Sequence, residues 1–160
     1  MRNLQRPFAN YQAFMLIELI LVLLLMAFFS IFVLVRRPAG YAALAGESQT
    51  IRSHLRYVRN LALAGDTDSW QMEFPDSTSY RLVHKTAGSL PFPGEESLMH
   101  SLPSGYTLRI ARDDGASPDQ LFFDRWGAPA EGMDYFVTVS ETETGASETV
   151  RILKNTGFIQ

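Results

Sequence analysis

The feature that most limits what this chain can become is an apolar run from Phe14 to Val35. It is 22 residues long, and Glu18 is its only charged residue. A helix of that length rises about 33 Å at ~1.5 Å per residue, enough to cross a hydrocarbon core of roughly 30 Å. Leu, Ile, Met, Phe and Val occupy every face, so no polar stripe marks the run as a helix lying on a water-soluble core. The expectation is a transmembrane helix over 14–37.

Glu18 sits awkwardly in such a helix. An ionised carboxylate inside a bilayer costs about 2.5–3.5 kcal/mol, and less near an end. Either Glu18 lies among the headgroups, or it has a functional counter-ion. Ahead of it, residues 1–13 contain Arg2, Arg6 and Pro7 and no acid, the composition of a cytoplasmic leader. Arg36 and Arg37 flank the other end, so charge alone does not orient the segment.

A short basic leader followed by Phe14-Met15-Leu16-Ile17-Glu18-Leu19 resembles the N-terminus of type IV pilins and type II secretion pseudopilins. In that family a prepilin peptidase cuts just before a Phe, and Glu is the fifth residue of the mature chain. The resemblance implies a cut between Ala13 and Phe14, with Ala13 standing where the family usually has Gly. It implies N-methylation of the new Phe14 amine, and pairing of Glu18 with the N-terminal amine of a neighbouring subunit. Two charges that are each costly in lipid become tolerable as a pair, and each subunit completes the pair only through another. Two alternatives stay open. Ala43-Leu44-Ala45 before Gly46 has the form of a signal-peptidase site, although 22 apolar residues exceed the usual ~7–15 of a signal peptide. The anchor could also remain uncut on a membrane-bound binding or sensor domain.

Pro38 and Gly40 interrupt the helix. Beyond them Leu44, Ser48, Ile51, Leu55, Val58 and Ala62 recur at spacings of three and four, which predicts an amphipathic helix over 38–64 continuing the anchor. If it is one kinked helix from 14 to 64, it measures about 75 Å; two helices joined by a loop are the alternative. Arg52, Arg56 and Arg59 fall on other faces and read as a solvated face or intersubunit ion pairs rather than a nucleic-acid stripe.

After Gly65 the period changes from 3.6 to 2. Strands are expected at 69–74, 79–84, 105–112, 121–124, 134–141, 148–154 and 157–160, with a long irregular connection over 86–104 rich in Gly and Pro. The fold class expected is α+β: a long N-terminal helix, transmembrane in its first half, against a C-terminal antiparallel β-sandwich over 65–160. Phe122-Phe123-Asp124-Arg125-Trp126-Gly127, Val150-Arg151-Ile152-Leu153 and Thr156-Gly157-Phe158-Ile159, following Leu102-Pro103-Ser104-Gly105-Tyr106, resemble the H-type minor pseudopilins and the FimT-like minor pilins.

No catalytic constellation is present. His54, His84 and His100 lack metal-ligand spacing, so no metal and no cofactor are expected. Asp66-x-Asp68 and Asp113-Asp114 read as solvated turns rather than a calcium loop. The aromatics Trp70, Phe74, Tyr80, Tyr106, Phe122, Phe123, Trp126 and Phe136 read as core. The chain has no cysteine. From residue 41 onward there are 10 Lys/Arg against 16 Asp/Glu, about −6, which argues against a general nucleic-acid surface. The reading is a non-enzymatic subunit of a type II secretion pseudopilus. Its expected partners are other pseudopilins, a prepilin peptidase and inner-membrane lipid, and its β-domain is expected to be periplasmic. A minor pilin of a pilus or DNA-uptake system is the alternative.

Overall fold

The computed structural model describes residues 17–29, 39–65 and 70–160. It divides into two units at Ala39/Gly40. In the first, residues 17–29 form a helix, α1, with every side chain exposed. Among the described residues no helix is long and apolar enough to cross a membrane. The remainder of the expected span, and the kink at Pro38, lie outside the described residues.

The second unit opens within the first turn of α2 (Ala39–Leu63). The stripe Leu44, Ser48, Ile51, Leu55, Val58 and Ala62 is its buried face, with every member no more than 1% exposed. The helix ends as Ala64 N–H donates to Asn60 O at 3.0 Å and Gly65 N–H to Ala62 O at 3.3 Å.

Among the described residues eight strands follow, and every pairing is antiparallel. The first sheet runs β3 (Gly88–Leu90), β2 (Ser79–His84), β1 (Trp70–Asp76), β6 (Gln120–Phe122), and β4 (His100–Ser101) also pairs with β2. The second runs β5 (Tyr106–Arg112), β7 (Tyr135–Glu141), β8 (Ser147–Ile152). Period-2 patterning sets the register: Leu108 opposes Val139, Ile110 opposes Val137, and Val137 opposes Val150, all facing inward. The inward faces of both sheets and the α2 stripe form one apolar cluster that includes Tyr80, Phe92, Phe123 and Tyr135. Each fully buried Leu, Ile, Val or Phe contributes about 1.5–3 kcal/mol there.

The structure departs from expectation in three places. Pro75 lies inside β1, where the register shifts between Glu73 and Asp76, past the last residue that β6 pairs. Its missing N–H therefore removes no ladder bond from β6. The connection 86–104 is not wholly irregular, because β3 and β4 pair with β2. The expected last strand is a single bridge from Ile159 to Ile152.

Candidate functional site

Ala13 and Phe14, the expected cleavage and methylation positions, lie outside the described residues. Glu18 is on α1 and exposed. Its neighbours one turn on, Leu21 and Val22, are exposed as well. The carboxylate is thus the one charge on a described segment that is otherwise wholly apolar.

The β-bearing unit brings together residues that lie far apart in sequence. His54 on α2 and His100 at the start of β4 approach to 5.4 Å between ring centroids. Their separation along the chain gave no reason to expect a shared site, and the fold brings this pair together. Local chemistry explains the meeting. Tyr80 and His100 are cross-strand partners in β2 and β4, with rings 4.6 Å apart. Phe92-Pro93-Gly94-Glu95 closes a turn in which Glu95 N–H donates to Phe92 O at 3.0 Å. Pro in its second place and Gly94 at φ 85° in its third are what a type II turn requires. That turn stacks Phe92 on His54, with centroids 4.0 Å apart and an 8° interplanar angle, and returns Glu95 to the same imidazole.

The polar contacts form a chain. His54 Nδ1 lies 2.9 Å from the Tyr80 hydroxyl. His54 Nε2 is 3.7 Å from Glu95 Oε1. The same oxygen meets His100 Nδ1 at 2.5 Å, and His100 Nε2 is 3.4 Å from Glu47 Oε2. Glu95 Oε2 is buried and has no hydrogen-bond partner among the described residues. Burial lowers the His54 imidazole to about 4, against the upward pull of Glu95 and with a further downward push from His100. His54 is therefore neutral at pH 7. Burial, then Glu95 and Glu47, push the Tyr80 phenol well above its ordinary value, so it remains protonated. His84 takes no part in this cluster; its Nδ1 lies 3.0 Å from the Thr86 hydroxyl.

The three α2 arginines do not form a basic stripe. Arg59 donates from Nε to Gly127 O and from Nη2 to Thr156 O, both at 3.0 Å. Arg56 Nη2 reaches Ile159 O at 3.5 Å, and Arg52 lies 4.0 Å from Glu148. Arg56 and Arg59 clasp the C-terminal segment onto the helix. Gly127 and Gly157 meet under Arg59: a Cβ on Gly157 would lie almost on the Gly127 carbonyl oxygen. Trp126, expected in the core, is 70% exposed. Asp124 Oδ1 accepts from Trp126 N–H at 2.8 Å and Ala128 N–H at 2.9 Å, and this turn holds the indole outward, with Arg125 5.0 Å from its ring centroid. Asp113 and Asp114 face Lys154 and Arg112, as solvated turn acids do.

No protein-family profile and no curated protein matches the chain by sequence. Solved structures do match it in shape. The type IV minor pilin FimU of Pseudomonas aeruginosa superposes with a TM-score of 0.57 at 14% identity, over 76% of this chain and 89% of FimU. Its second crystal form gives 0.54 at 15%, over 73% and 90%. EpsH, the minor pseudopilin of the type 2 secretion system of Vibrio cholerae, gives 0.55 at 15%, over 73% of this chain and 94% of EpsH. With its helix and antiparallel sheets sharing one core, this chain has the type IV pilin-like fold.

Proposed function

We propose that this chain is a minor pseudopilin, a structural subunit of a short type II secretion filament that supports protein export. The observation that carries the reading is α1: its described side chains are exposed, apolar on every face, and broken by Glu18 alone. Such a surface is stable only in lipid or against other apolar helices. Fused to a domain shaped like a minor pilin and a minor pseudopilin, it fits a subunit held first in the inner membrane and then in a helical filament core. Cleavage between Ala13 and Phe14 by a prepilin peptidase frees the Phe14 amine, which is then methylated and pairs with Glu18 of a neighbouring subunit. The acidic β-domain supports export over DNA uptake. The signal-peptidase alternative fits poorly, because a cut after Ala45 would remove the core residue Leu44.

Mass spectrometry of the chain isolated from its own cell membranes tests the processing. A methylated Phe14 terminus is expected; Met1 would indicate an uncut anchor, and Gly46 a secreted product. Crosslinking to partner pilins tests the role of Glu18. Glu18→Ala is expected to lose co-assembly, and assembly at the wild-type level would remove Glu18 from the mechanism. Deleting the gene is expected to stop export while leaving pili intact, and the reverse pattern would place the subunit in a pilus.

A further inference from the structure

We propose that His54, Glu95 and His100 form a site for one divalent transition metal of the zinc class. The ligand atoms of the three residues all lie within 4.8 Å of one another. The two imidazoles flank one carboxylate oxygen, with His54 Nε2 at 3.7 Å and His100 Nδ1 at 2.5 Å from Glu95 Oε1. Two ligands on a common tetrahedral zinc lie roughly 3.3 Å apart, given Zn–N and Zn–O bonds of ~2.0–2.1 Å. The two spacings to Glu95 Oε1, 3.7 Å and 2.5 Å, bracket that value. Two imidazole nitrogens and a carboxylate suit zinc and its neighbours, whereas calcium and magnesium require an oxygen cage.

The far side of each histidine is already arranged for metal binding. With a metal on His54 Nε2, the proton sits on Nδ1 and is donated to the Tyr80 oxygen, 2.9 Å away. With a metal on His100 Nδ1, the Nε2–H faces Glu47 Oε2 at 3.4 Å. A ligating histidine held through its other nitrogen by a carboxylate or hydroxyl is the usual outer arrangement of such centres. A cation would also compensate Glu95, whose Oε2 is buried without a hydrogen-bond partner among the described residues.

The ligands come from two places: His54 from α2, and Glu95 and His100 from the connection between β3 and β5. A metal there ties that Pro- and Gly-rich connection to the helix. In a chain with no cysteine it serves as the cross-link. The site stands on this geometry alone and does not depend on which filament the subunit joins.

The test uses the full-length chain in detergent, stripped with a chelator and titrated with zinc against a chromophoric competitor. Calcium titration and cobalt absorption spectra run alongside. The expected result is one zinc per chain, a rise in Tm with zinc, and a cobalt spectrum of nitrogen and oxygen ligands. His100→Ala and Glu95→Gln are expected to weaken zinc binding by more than about 100-fold, and Tyr80→Phe by about 10–100-fold. Circular dichroism of each metal-free variant confirms that it is folded, and Glu95→Gln preserves shape if His100→Ala does not fold. No saturable zinc uptake by the wild-type chain would overturn the proposal. So would zinc affinity unchanged in the folded variants, or uptake of calcium in preference to zinc.

Discussion

Single atoms decide two positions outright. Gly157 has φ 60° and faces the Gly127 carbonyl, so any side chain there meets both backbone strain and a collision. Gly157→Ala is expected to cost about 3 kcal/mol, read as a lower denaturant midpoint at unchanged slope. Asp134 shows how charge enters. Its carboxylate accepts from Lys154 N–H at 2.8 Å and from Arg151 Nη2 at 2.6 Å. The backbone bond from Lys154 is the leading reason its carboxyl is held below the ordinary value of 3.8, followed by the bond from Arg151. Arg151 is half exposed, so its ion pair adds little against solvent and salt. A depressed carboxyl stabilises the fold above its unfolded value and loses that contribution as pH falls through the folded one. Asp134→Asn is therefore expected to lower Tm at pH 7, with the gap to wild type closing as the pH drops below 3.8. A gap that stays constant across that range would assign the loss to shape rather than to charge.

At the scale of elements, α2 does most of the organising. Its stripe packs on both sheets, and its arginines grip the chain terminus. Two neighbours on that stripe are expected to respond with opposite sign. Leu55 is fully buried among apolar side chains, and Leu55→Ala is expected to cost about 2–5 kcal/mol through lost contacts and a residual cavity. Ser48 is equally buried, but its Oγ has no hydrogen-bond partner among the described residues. Ser48→Ala removes that desolvated hydroxyl and is expected to raise stability by about 1 kcal/mol. Chemical denaturation of the two variants checks both signs. The helix α1 differs in kind, since every one of its described side chains is exposed. If α1 is the proposed anchor, Leu23→Arg is expected to cost about 2.5–3.5 kcal/mol of membrane insertion. Fractionation should show the chain lost from membranes, while the melting of the β-bearing unit stays unchanged.

Across the whole molecule, what could be read in advance follows contact range. The α2 stripe and most strands were legible because side-chain period and burial are local properties of an element. The outward Trp126 was not legible. Its exposure comes from two backbone bonds to Asp124, and indole hydrophobicity says nothing of those. The short strands β3 and β4 escaped notice because two or three residues carry no period, and only their pairing with β2 defines them.

Residue order was enough to foresee an apolar segment with one misplaced charge, an amphipathic helix after it, and an antiparallel domain of acidic balance. Those properties follow from side-chain chemistry at spacings of two to four residues. Only the folded arrangement brings His54 and His100 to one oxygen of the Glu95 carboxylate, and Gly127 against Gly157 beneath Arg59. Both depend on how α2 is laid against distant loops. The relevant separations run from tens of residues to nearly a hundred, and no local pattern encodes where a folded chain crosses itself.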